Sequence, residues 1–68
     1  MNRRALLVSL SRSATSAGLT LMLVRHGGRH DVYSCGELII VIPRHREINE
    51  RTARGIIAEV DEYLGRTN

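Results

Sequence analysis

Between Gly36 and Pro43 the chain carries an unbroken aliphatic run, Leu38-Ile39-Ile40-Val41-Ile42, and no other stretch restricts the fold as much. Four of its five residues are β-branched, which favours a pleated strand over a helix. A run of this length between a glycine and a proline predicts a strand over residues 37–42. Because the run is apolar on both faces, burial on both faces is expected. Pro43 has no N–H to give a sheet ladder and so marks the strand's end.

Such a strand needs partners, and the sequence supplies two upstream. Residues 19–25 read as a strand with Leu19, Leu21 and Leu23 on one face and Met22 and Val24 on the other. His30-Asp31-Val32-Tyr33 begins another, with Ser34-Cys35-Gly36 as the tight turn into the aliphatic run. Residues 26–29 form the loop between these two strands. The flanks have helical spacing. Leu6, Leu10, Ala14 and Ala17 share one face over residues 3–17, with Leu7 beside them and Gly18 as a stop. Serines and Thr15 weaken the second half of that helix. Ala53, Ile56, Ile57, Val60 and Leu64 recur at i, i+3, i+4, i+7 and i+11 after a cap at Asn49, with Gly65 expected to close the helix.

The predicted order is helix, strand, strand, strand, helix. This is an α+β fold, with a three-stranded antiparallel sheet and both helices on one face. Residues 1–68 form one domain, and a chain this short buries only about 60% of its unfolded surface. The core lacks Trp and Phe, so Leu, Ile and Val must build it. The sheet face that the helices leave uncovered still carries apolar side chains, which calls for a protein partner.

Charge narrows the partner further. All ten cations are arginine, against seven acids, for a net charge of +3 and a pI near 10.0. That balance favours an acidic or phosphate-bearing partner, although arginine-only usage is equally the mark of a GC-rich genome. The single Cys35 cannot form an internal disulfide, fits a reducing cytoplasm, and is expected in a turn without a role. The apolar run after Arg4 is short and broken by Ser9, Ser11 and Arg12, so it reads as helix rather than secretion signal. No stretch is long enough to span a bilayer.

The chemistry concentrates in Arg25-His26-Gly27-Gly28-Arg29-His30 and in Pro43-Arg44-His45-Arg46. Glycines allow close backbone approach to an anion, and arginine forks suit phosphate. His30 is the candidate general base: it would take the proton of a ribose 2′-hydroxyl, whose oxygen then attacks the adjacent phosphorus. Gly27, Gly28, Arg29, Arg44 and Arg46 are the candidate RNA contacts, with Arg29, Arg44 and the glycine amides as donors to the developing charge. Against this, on pattern alone His30 is more often a histidine at a strand's edge with no role, and Gly27-Gly28 more often a plain turn than a phosphate cradle. His26 and His45 read as surface residues, with a further acid or base as the alternative. The three histidines lack a thiol or carboxylate at ligand spacing, so neither a metal nor any other cofactor is expected.

The run Gly27-Gly28-Arg29-His30-Asp31-Val32-Tyr33, followed by Ile42-Pro43-Arg44-His45-Arg46-Glu47-Ile48-Asn49 and by Thr52-Ala53-Arg54 on a helix, closely resembles the HicA toxin family. The resemblance covers residues 24–64. It implies a fold like the double-stranded RNA-binding domain, in the element order given above. It also implies a metal-independent endoribonuclease acting on messenger RNA, with His30 as its catalytic histidine and Tyr33 as the aromatic that follows. A HicB-type antitoxin covering the site is the implied protein partner, in a hetero-oligomer. The Ser-rich first helix and the Leu19 region, where the family has an aromatic, depart from the pattern. A non-catalytic RNA-binding module or an inactive toxin homologue of the same fold is the alternative.

Overall fold

Asn2 opens the first helix. Its side-chain oxygen accepts from the N–H groups of Arg4 (2.8 Å) and Ala5 (3.3 Å), satisfying two donors that the first turn leaves free. The computed structural model describes residues 1–67, with helix α1 spanning Arg3–Ser16. Gly18 takes φ +77° just past its end. There Leu19 N–H donates to Ala14 O (2.8 Å) and Gly18 N–H to Thr15 O (3.0 Å), a Schellman closure that only glycine enters without strain. Leu6, Leu10 and Ala14 are buried, so the stripe read from the sequence is the packing face.

Three strands follow, β1 (Leu21–His26), β2 (His30–Cys35) and β3 (Leu38–Pro43), in one antiparallel sheet of order β1-β2-β3. The second helix, α2, spans Glu50–Thr67. Asn49 caps it, its side chain accepting from Arg51 N–H at 2.8 Å. The order α-β-β-β-α and the single sheet are those expected. Both helices pack together on one face, α1 over β1 and α2 over β3, around Leu6, Leu10, Cys35, Ile40, Ile42, Ala53 and Val60. Among the described residues, no helix is long and apolar enough to cross a membrane.

The structure corrects several details. β1 begins at Leu21, because Leu19 completes the α1 closure before the chain extends. Cys35 lies in β2, fully buried, and not in the turn; burial pushes its thiol above the usual value. The turn is Gly36-Glu37, with Cys35 and Leu38 paired on either side. Positive φ at Gly36 (+61°) but not at Glu37 is the pattern of a type II′ hairpin turn. α2 continues through Gly65 to Thr67, supported by the Glu62–Arg66 ion pair one turn apart.

β3 is buried on one face only, contrary to the expectation from its composition. Ile40 and Ile42 face the helices, while Ile39 and Val41 are more than half exposed, as are Met22 and Val24 of β1. Two helices cover one side of three strands, and nothing among the described residues reaches the other. In β1 the register shifts between Leu23 and Arg25, so Val24 and Arg25 together oppose Val32, a bulge that sharpens the local twist.

Tyr63 pins the β2–β3 turn to α2: its hydroxyl accepts from Glu37 N–H at 2.8 Å. A Cβ on Gly36 would stand 2.6 Å from that oxygen and 3.3 Å from Leu19. Gly36→Ala combines this clash with a disfavoured backbone and should cost about 1–3 kcal/mol. A fall in the urea midpoint checks it, and an unchanged midpoint would contradict the packing described.

Candidate functional site

The β1–β2 loop, residues 27–29, is held from both sides by its own chain. Gly27 N–H donates to Asp31 Oδ1 (3.2 Å), and Arg44 Nη1 donates to the carbonyls of Gly27 (2.6 Å) and Gly28 (3.3 Å). Arg44 N–H also donates to Arg29 O (3.0 Å), extending the β2–β3 ladder one pair past His30 and Pro43. The two glycines are not equivalent. A Cβ on Gly27 would overlap the carbonyl oxygen of His30, whereas one on Gly28 would meet nothing within 4 Å. Gly27 is therefore required by the loop's own closure. Gly28 borders open space that a ligand can use.

Asp31 is the hub. It is 4% exposed, and as the second residue of β2 it points towards the helices. Arg3 Nη2 donates to its Oδ2 at 2.6 Å, while Arg3 Nε donates to Pro43 O at 2.8 Å. His26 Nδ1 lies 3.0 Å from Asp31 Oδ1, and Arg44 Nε lies 3.7 Å from the same oxygen. One carboxylate thus joins α1, the end of β1, the loop and the segment after β3. Neither Asp31 nor Arg3 was singled out from the sequence. The available signal was a lone acid inside a strand pattern, without any hint of its partner.

His30 is exposed at the start of β2, the central strand, in register with Pro43. Neighbouring residues of a strand point to opposite faces, so its imidazole leaves the sheet on the side away from Asp31. It makes no hydrogen bond or ion pair among the described residues. An open depression of about 590 Å³ is lined by Gly28, Arg29, Arg44 and His45. A second, of about 530 Å³, is lined by Asn2, Arg3, Arg4, Leu7, Arg44 and Arg46. Of the expected RNA contacts, Gly28, Arg29 and Arg44 therefore come together, and Arg46 lies in the adjoining depression across Arg44. His30 borders the same loop but lines neither depression.

This arrangement can bind an anion and offer it an imidazole. Arg29 and Arg46 keep their guanidinium groups free of partners among the described residues, while Arg44 spends Nη1 on loop carbonyls. No three His, Cys, Asp or Glu side chains stand close enough to hold a metal among the described residues. No family model, curated protein or solved structure matches the chain.

Two outcomes follow from this geometry. Gly27→Ala should destabilise the fold while Gly28→Ala leaves the unfolding free energy from urea titration within about 0.5 kcal/mol of wild type; equal effects would refute the distinction. Asp31→Asn should cost roughly 2–3 kcal/mol, because Arg3 loses a charged acceptor but keeps partial access to water. Equilibrium unfolding measures that loss.

Proposed function

We propose that the chain is an endoribonuclease of the HicA toxin type, cutting messenger RNA in the cytoplasm without a metal. The observation that carries this reading is an exposed, unpartnered histidine beside a clamped glycine loop and an arginine-lined depression. His30 takes the proton of a ribose 2′-hydroxyl, whose oxygen attacks the neighbouring phosphorus and expels the 5′-oxygen. Arg29, Arg44 and the Gly28 backbone offer donors to the charge that builds on the phosphoryl oxygens. Arg46 extends the positive surface into the adjoining depression beside the start of α1. Since the loop is braced internally, these donors need little rearrangement on binding.

The runner-up, a non-catalytic RNA-binding module of the same fold, draws support from one observation: His30 lies outside the depression that the arginines line. Both readings include RNA, so catalysis decides between them. His30→Ala should abolish cleavage with the fold unchanged, since this side chain is exposed and makes no hydrogen bond or ion pair among the described residues. A 2′-deoxy nucleotide at the scissile position should resist the wild-type chain. Cleavage by a folded His30→Ala protein would remove His30 from the mechanism, and no cleavage by wild type would leave the binding module.

Binding is tested separately through salt. Arg29→Ala and Arg46→Ala should each weaken affinity for single-stranded RNA and lower the slope of log K against log salt by about 0.7. Arg44→Ala is a poorer probe, because it also releases the loop carbonyls. An effect confined to one RNA sequence would instead mean base recognition.

The proposed protein partner is a HicB-type antitoxin. Its place is the uncovered sheet face, where Met22, Val24, Ile39 and Val41 form an apolar surface next to Arg25 and His30. An antitoxin bound there, with acidic residues towards the arginines, occludes RNA and stabilises the toxin by mass action. Co-purification with the product of the neighbouring reading frame, with loss of RNA binding, is the expected result.

A further inference from the structure

The structure points to a second proton-transfer group. We propose that His26, oriented by the buried Asp31, is a catalytic residue that protonates the leaving 5′-oxygen while His30 deprotonates the 2′-hydroxyl. The inference rests on the endoribonuclease reading and names the acid that it requires.

Three features set His26 apart from an ordinary surface histidine. Its Nδ1 stands 3.0 Å from Asp31 Oδ1, although 61% of its side chain is exposed. A carboxylate this close to Nδ1 favours a ring orientation that leaves Nε2 as the nitrogen offered to solvent. Asp31 is itself held by Arg3 and by the Gly27 amide, so the imidazole stands against a fixed carboxylate. The Arg44 guanidinium reaches the same Asp31 oxygen at 3.7 Å. A phosphate beside His26 therefore has a cation next to it. His45, the remaining histidine, has no carboxylate within ion-pair distance among the described residues.

Position in the hairpin supplies the rest. His26 ends β1 and His30 begins β2, with only residues 27–29 between them. His26 lies on the side of Asp31, and His30 leaves the strand on the other. The two imidazoles thus flank the loop from opposite sides. Displacement at phosphorus needs its nucleophile and leaving group in line, on opposite sides of the atom. A phosphodiester lying across the Gly28 tip, where a Cβ would meet open space, meets one histidine on each side.

The step balances without any further reactant. The O2′–P bond forms as the P–O5′ bond breaks. The 2′-hydroxyl proton passes to the His30 imidazole, and a proton on His26 Nε2 passes to the departing oxygen. The products are a 2′,3′-cyclic phosphate and a 5′-hydroxyl, and the two histidines end in exchanged protonation states that solvent resets. Asp31 touches no substrate in this scheme. It is a positioning residue, acting through His26.

A sulfur leaving group separates an acid from a structural histidine. The substrate is a short DNA strand with one ribonucleotide, placed where the wild-type chain cuts the corresponding RNA. It is made with either oxygen or sulfur bridging phosphorus to the 5′-carbon. Thiolate departs without a proton, so it needs no general acid. On the oxygen substrate His26→Ala should lose about 10²–10⁴-fold in rate. On the sulfur substrate it should recover to within about tenfold of wild type. His30→Ala should be defective on both. Asp31→Asn should show a smaller version of the His26→Ala pattern, with sulfur rescue. If His26→Ala cuts the oxygen substrate at the wild-type rate, or if sulfur fails to rescue a folded variant, His26 is not the acid. Should wild type cut neither substrate, the failure belongs to the endoribonuclease reading instead.

Discussion

The Asp31 carboxylate is the interaction on which the site depends. Placing a charge at 4% exposure is costly unless it is paired and hydrogen-bonded. Here the cost is offset by Arg3, the Gly27 amide and His26, which come from α1, the loop and β1. A buried ion pair is weak evidence for net stability, since an apolar replacement often does as well. Its value lies in geometry. Aliphatic side chains would hold the sheet against α1, but they would not aim an imidazole or draw an amide of the loop inward. Asp31 does both, and it does so next to His30 in the chain.

The same sheet is asymmetric in what it covers. With α1 over β1 and α2 over β3, the helix-side residues Cys35, Ile40 and Ile42 are buried. The opposite face keeps four large aliphatic side chains in water. Sixty-eight residues do not provide a third layer. Composition nonetheless made β3 apolar on both sides, as expected of a strand that is covered twice. No element among the described residues covers it a second time, which is the physical reason for proposing a protein partner rather than RNA for that face. An apolar face has little to offer a phosphate backbone; the arginine-lined depressions next to the loop do.

How much of this was legible in the sequence differs by level. The two helices were, because a periodic stripe such as Leu6, Leu10 and Ala14 reports packing directly, and Asn49 announces its cap. Strand identity and order were also legible, but bounds slipped where a turn competed with a strand. Ser34-Cys35-Gly36 has the composition of a turn, yet Gly36 and Glu37 carry the reversal and Cys35 stays in the strand. The hub was not legible. Arg3 is 28 residues from Asp31, and no local pattern links them. Gly27 and Gly28 are identical letters side by side, and only the approach of the His30 carbonyl separates a steric requirement from open space.

The arginines divide in a similar way, and this division shapes the field of the site. Arg3 lies directly against Asp31, so its charge is largely spent within the protein. Arg44 spends donors on the neutral carbonyls of Gly27 and Gly28, and its nearest anion is that same carboxylate at 3.7 Å. One negative charge therefore serves two guanidinium groups. Arg25, Arg29 and Arg46 add three more cations along the rim, with no acid against them among the described residues. At contact distances an uncompensated excess of this kind attracts polyanions, and the attraction weakens with salt. The loop is thus braced by charges that face inward, while the surrounding surface stays positive. A phosphate can meet that surface without first breaking the bonds that give the loop its shape.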